Sequence, residues 1–456
     1  MKHDIFGQPT SLTTRQGVED WNAAQLGFLA HAAATPGHLS AVLVAEPGFA
    51  MGHAVKGLFY LLLGRRELLE TAREAYATAE NAARHGDASP REMLYVRALG
   101  HWLAGRPSQA ATDMELVLEV CPDDPLAMKL SHAIRFVLGD NHGMRASIER
   151  VLPSYAPDHA ARGYLLGCHA FALEETGEYE RAEIAGRQAL WTAPNDAWGL
   201  HAVAHVHDMT GQARQGIDWL AGHEGAWTHC NNFRFHVWWH KALMHLDQGE
   251  IDVVLDLYDR EIRKEKTDDY RDISNGTSLL MRLELEGVDV GNRWEELAEF
   301  SANRTEDGCL IFADLHYLLA LTADNRAAQT KALIARIHRD AKRAGDETDA
   351  RMAKPGMDAA EGLHLFSEAR YSEAFRHLVR ARDTMQLAGG SHAQRDVFER
   401  MTIDAGLRAG LLDQSERILN DRQVRRGGAE DGYSAARRDL IAAGRGAPDV
   451  HSVPAE

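Results

Sequence analysis

The stretch DHAARGYLLGCHAFALEETGEYERAEIAGRQALWTAP, residues 158–194, reads as two short helices folded against each other. Ala170, Ala182 and Ala189 are small enough for paired helices to approach closely, Gly177 supplies the turn, and Pro194 stops the second helix. Working outward, Ala98, Gly105, Ala110 and Pro122 repeat most of this pattern. Glycine followed by a polar residue recurs at Gly64-Arg65, Gly105-Arg106, Gly139-Asp140, Gly177-Glu178, Gly211-Gln212 and Gly249-Glu250, so successive turns lie 41, 34, 38, 34 and 38 residues apart. A period in that range with glycine at the turn is the mark of stacked helical hairpins.

The small-residue, turn and proline positions are those of a tetratricopeptide-type repeat. The expected fold is therefore all-α, a TPR-like α-α superhelix, a solenoid of helical hairpins able to curl around a central polar pocket. No run alternates apolar and polar residues in the way a strand requires. Beyond Gly249 the spacing predicts helices over 270–287, 291–303, 308–323, 326–345, 356–368, 371–387, 392–409 and 412–425. The polar stretch Asp346–Pro355 marks a shift between two helical blocks. The chain divides on this reading into an N-terminal cap or tail (1–16), TPR-like repeats (17–345), C-terminal helical repeats (346–445) and a tail (446–456).

With 456 residues, 45% hydrophobic, the chain buries a large core but is too long for one ordinary compact domain, a limit that a stacked array escapes. A formal charge of −17 argues against a partner recognised through its phosphate backbone, so no nucleic acid is expected. There is no apolar leader and no stretch long enough to span a bilayer, so the expectation is a cytoplasmic protein with no membrane partner. Cys121, Cys168, Cys230 and Cys309 stand singly, without the spacing of a zinc ribbon or redox pair. Oligomeric state is left open, a homo-oligomer included.

Histidine occurs 24 times, and two pairs at helical spacing, His201/His205 and His236/His240, fall in consecutive repeats. In a tetratricopeptide-type hairpin the first helix lines the concave side through positions 2, 5, 9 and 12 when the turn glycine is position 15. Counting back from Gly211 gives Trp198, His201, His205 and Asp208; from Gly249, His236, Trp239, Leu243 and Leu246, with His240 beside the stripe; from Gly177, Tyr164, Gly167, Phe171 and Glu174. Adjacent helices lie roughly 10 Å apart, so these side chains form one wall. Two i,i+4 pairs could supply four nitrogens to a zinc-type ion, although the glutamate of an HExxH motif is missing. The metal-free alternative is proton transfer by imidazoles that a carboxylate such as Asp208 or Asp272 orients.

Further along, Asp272 or Ser274 can cap the helix that follows Asp268. Asp314 and His316 sit in an otherwise apolar helix, where a buried carboxylate demands a partner such as a histidine or Arg395. The run Gly389-Gly390-Ser391-His392-Ala393-Gln394-Arg395 reads as an interhelical turn with Ser391 as N-cap, and also as a candidate anion site with Arg395 one turn inside.

Taken together, His201-Ala202-Val203-Ala204-His205-Val206-His207-Asp208-Met209, His236 with Trp239-His240, Leu257-Tyr258-Asp259, Arg293-Trp294, Phe312 with Asp314 and His316, and Gly389-Gly390-Ser391 with Gln394-Arg395-Asp396 resemble the tetratricopeptide repeat protein 38 family. The resemblance covers about 195–440. Asn275 stands where an animal member of that family carries Asp. The resemblance implies a shared site, because His201, His205, His236, His240, Asp272, Asp314, His316 and Arg395 lie within the matching segments, but it implies no settled reaction.

The resulting expectation is a TPR-like protein whose His/Trp/Asp-lined pocket binds a small polar or anionic molecule, with a lean toward a hydrolase or lyase working by acid–base chemistry. His201, His205, His236, His240, Asp208 and Asp272 are the candidate catalytic residues. Trp239, Asp314, His316, Arg395 and Ser391 are the candidate binding residues. No cofactor is expected, with zinc on the four histidines as the alternative. A scaffold holding a peptide or protein partner in its groove is the second reading.

Overall fold

In the computed structural model, which describes residues 2–446, all six turn glycines have positive φ, between 59° and 82°. A side chain makes that backbone conformation costly, which is why the period of the array is written in glycine. Each turn closes a helical hairpin, as in Arg162–Glu174 with Tyr179–Thr192, Ala197–Met209 with Ala213–Ala221, and Phe233–Asp247 with Ile251–Leu257. The protein is an α-helical solenoid of stacked helix pairs. Lys2–His3 and Pro9–Thr10 form a short antiparallel ribbon, the one sheet among the described residues.

Beyond Gly249 the helices fall at Tyr270–Leu285, Arg293–Ala302, Ile311–Ala323, Ala327–Arg343, Met357–Ser367, Tyr371–Arg382, His392–Arg408 and Leu412–Arg425, close to their expected places. A further helix, Gly432–Gly446, was not anticipated. Asp346–Pro355, read as a polar connection, contains the short helix Glu347–Arg351, capped by the Asp346 side chain. The tail assigned to 446–456 lies outside the described residues beyond Gly446. Among the described residues no helix is long and apolar enough to cross a membrane.

The second half of the chain runs along the turn edge of the first. Arg65 meets Asp268 at 2.7 Å, Gln386 donates to the Gly139 carbonyl at 2.8 Å, and His392 reaches Glu174 at 2.5 Å. Arg426 donates to the Asp208 carbonyl at 2.5 Å, and the Gly432 amide donates to Asp247 at 2.8 Å. At Gly139 the approach is so close that a Cβ would stand 1.9 Å from the Gln386 carbonyl oxygen. Across the other opening, the Asn231 amide donates to the His31 carbonyl at 2.8 Å, tying the turn after Arg15–Leu29 to the start of Phe233–Asp247. The superhelix is thus curled and covered, as the sequence suggested it could be.

The contact of Gly432 with Asp247 adjoins Arg422, which pairs with Asp431. Its buried guanidinium is held by Asp396 at 2.6 Å and Asp431 at 2.6 Å, and it donates to Ser434 at 2.9 Å. Removing one member of a buried ion network strands the others. Arg422→Met is expected to cost about 3–5 kcal/mol in chemical denaturation; a loss below about 1 kcal/mol, the range of surface pairs, would show that the network does not hold the C-terminal helices in place.

Candidate functional site

Three first helices, Arg162–Glu174, Ala197–Met209 and Phe233–Asp247, stand side by side. Asp196 starts the middle one by accepting the Gly199 amide at 3.1 Å. The first two touch at glycines: a Cβ on Gly167 would lie 2.0 Å from Asp196 Oδ2 and 2.9 Å from the Gly199 nitrogen. That close approach brings Phe171 against the ring of His201, with centroids 5.7 Å apart, and Glu174 to His205.

The four histidines expected on the concave wall meet at a single point through their Nε2 atoms. His201 Nε2 lies 2.9 Å from that of His205, 3.0 Å from that of His236 and 3.1 Å from that of His240, and His236 and His240 are 3.2 Å apart. His201, His205 and His240 are buried, and His236 is partly so. Burial, followed by repulsion from neighbouring rings, drives His201 and His240 well below the ordinary imidazole range. Burial takes His236 to about 3 despite the opposing bond to Asn275. These rings are therefore neutral at physiological pH.

Behind the rings lies a second layer. His236 Nδ1 is 2.9 Å from Asn275 Oδ1, and His205 Nδ1 is 3.4 Å from Glu174 Oε2. Burial would raise the Glu174 carboxyl, but His392 and His205 outweigh it and hold it at about 2. Its partner His392 is lowered by burial but lifted more strongly by Glu174 and Glu175, to about 9. Trp239 stacks on His236 with centroids 5.2 Å apart and donates its indole N–H to Ser278 at 3.1 Å.

The remaining sequence candidates are elsewhere or otherwise engaged. Half-buried Asp208 lies by Arg426, 3.4 Å away. Asp272 accepts from Asn232 at 2.6 Å and from Thr267, and burial lifts its carboxyl to about 6. Asp314 pairs with Arg336, not with Arg395 or a histidine. His316 Nδ1 meets the Phe312 carbonyl at 2.7 Å, and the ring packs on Phe398. Arg395 donates to the carbonyls of Gly389 and Gly390 and lies 3.6 Å from Glu175. Ser391 caps its helix in a reciprocal box with Gln394.

A cavity of about 590 Å³ opens in front of the histidine wall, between the N-terminal helices and segments of the second half, lined in part by His201, His236, Trp198, Phe233, Tyr270 and Ser391. It also exposes residues that the sequence reading did not single out: Lys129, His132 and His31. Counting back from Gly139 by the same rule gives Leu126, Lys129, Ala133 and Phe136, so Lys129 was within reach of the repeat arithmetic. His31 was not, because it arrives across the ring, sandwiched between Trp198 at 5.3 Å and Phe233 at 4.7 Å.

No protein-family model matches the chain. Solved structures of similar shape include the human IFIT1 dimer with m7Gppp-AAAA (15% identity, 87% of this chain and 89% of that chain covered, TM-score 0.36). Others are the human IFIT1 dimer with PPP-AAAA (15%, 96% and 96%, 0.38) and Naa15/Naa10 bound to HypK-THB (12%, 95% and 66%, 0.25). The hydrolase or lyase chemistry expected from the sequence is corrected by the site's own geometry. Acid–base catalysis needs an imidazole aimed at substrate and steadied by a carboxylate, whereas the four Nε2 atoms aim at one another, and Asp208 and Asp272 are held by Arg426 and by Asn232 and Thr267.

Asp196, which positions the helix of His201 and His205, is itself a buried carboxyl that burial raises to about 7 against the opposing pull of Lys129. Between the ordinary aspartate value of 3.8 and about 7 the folded chain keeps a proton that the unfolded chain releases, so this group makes the fold less stable as pH rises through that window. Asp196→Asn should flatten the fall in unfolding free energy measured across it; an unchanged slope would contradict the assignment.

Proposed function

We propose that the protein is a binding protein for a small organic molecule with a planar, largely apolar body and an anionic or polar end, held in the cavity in front of the histidine wall. The observation that carries this reading is a set of polar atoms in an aromatic wall. Trp198 Nε1, His31 Nε2 and both ring nitrogens of His132 are buried without a hydrogen-bond partner. Such atoms are rare in native interiors and ask for an explanation. A ligand that accepts from the indole N–H and bonds to the imidazoles supplies one.

Lys129 gives the polar end its sign. Its side-chain nitrogen sits 4.7 Å over the Trp198 ring and 3.5 Å from Cys168 Sγ, with no carboxylate at ion-pair distance among the described residues. A carboxylate or phosphate on the ligand would complete it. Phe233, Phe171 and Trp198 offer faces for a planar body. The volume is in the range of drug-sized ligand sites. A peptide lying in an open groove is less well served, because the helix His392–Arg408 covers the wall at Glu174.

Thermal-shift screening against planar carboxylates, extended peptides and inorganic phosphate tests the reading. A ligand at a hundredfold excess over its Kd stabilises the folded chain by about 2.7 kcal/mol. The expected result is a rise in Tm with a planar anion that is lost in Lys129→Met and Trp198→Ala, both variants keeping their helical circular dichroism. Stabilisation by peptides alone would overturn it.

A further inference from the structure

We infer that His201, His205, His236 and His240 form a closed four-imidazole site for a divalent first-row transition ion of the zinc type. The inference does not depend on the cavity's ligand, since it stands on the direction in which the rings point.

The four Nε2 atoms crowd one buried point at which they meet only one another. His236 Nδ1 lies 2.9 Å from the Asn275 side-chain oxygen, an acceptor, so it carries the ring proton, and His205 Nδ1 lies 3.4 Å from Glu174 Oε2. His236 then presents a lone pair at Nε2, toward the common centre. His201 Nε2 lies within 2.9–3.1 Å of three other Nε2 atoms and can donate to only one of them. Nδ1 of His201, of His205 and of His240 has no hydrogen-bond partner, so nothing holds those rings with the proton at Nε2. With all four protons at Nδ1, the four Nε2 lone pairs face one centre and form a cage for a cation.

The geometry suits an ion of that size. Four nitrogens at about 2.0–2.1 Å from a tetrahedral centre stand about 3.3–3.4 Å from one another. Four of the six edges are 2.9–3.2 Å, and all four nitrogens lie within 4.8 Å of one another. Neutral imidazole suits zinc, copper, iron and nickel, while calcium and magnesium require oxygen donors. The second layer is of the kind that orients ligating histidines: a carboxylate behind His205 and an amide oxygen behind His236. Glu174 also supplies negative charge against the ion. Four protein ligands leave no open position, so the site acts as a clip joining Ala197–Met209 to Phe233–Asp247 where His201 and His236 line the cavity.

The test uses the full chain purified without a polyhistidine tag. We expect about one equivalent of a divalent first-row ion per chain by elemental analysis, or uptake of one Zn2+ by chelator-treated protein with a rise in Tm. His240→Ala should lose the metal while keeping its helical circular dichroism. Should that variant fail to fold, His240→Cys loaded with Co2+ should show the charge-transfer band of a metal-bound thiolate. A folded wild-type chain that carries no metal and takes up no added Zn2+ would overturn the inference, as would a His240→Ala variant that binds Zn2+ like wild type or a His240→Cys variant without the thiolate band.

Discussion

Four imidazoles whose Nε2 atoms meet at one buried point set the terms for everything around them. Each ring arrives from a helix whose position is fixed by a glycine turn behind it and by a neighbour packed at contact distance in front. The Gly167 to Gly199 approach determines how near Phe171 and Glu174 come to His201 and His205. Trp239, stacked on His236 and anchored to Ser278, holds the other side. Burial then disfavours the charged state of His201, His236 and His240, which turns potential acids into electron-pair donors.

That burial comes from the second half of the chain. Its segments lie along the turn edge of the first half, with His392 placed on Glu174 and Arg426 on the end of the helix that carries His205. The same closure makes a cavity where an open solenoid would have a groove. Cavity and imidazole cluster share His201 and His236, so anything that loosens the cluster reshapes the cavity wall. Lys129 and the unpartnered Trp198, His31 and His132 atoms give that wall a polar demand that its aromatic surface does not meet.

What the sequence disclosed was local and periodic. Glycine spacing announced the hairpins, and repeat counting set His201, His205 and His236 on one wall, because a helical position repeats wherever the turn repeats. His240, one place off the counted stripe, still joins the cluster since its i,i+4 relation to His236 carries it to the same side. Contacts across the ring left no such trace. Asp208 belongs to the counted stripe, yet Arg426 holds it, and nothing in the spacing of the two residues foretells that. Asp314 was expected to need a partner and has one, but Arg336 supplies it. Asn275 is well suited to its place, since an amide oxygen serves His236 Nδ1 without adding a charge.

X-ray absorption at the metal edge of zinc-loaded protein measures the central claim most directly, because it reads the atoms around the ion. The account predicts a first shell of four nitrogens at about 2.0–2.1 Å with the outer-shell scattering of imidazole rings. A shell dominated by water oxygens or containing sulfur would contradict it, and would mean that the four histidines converge for packing alone.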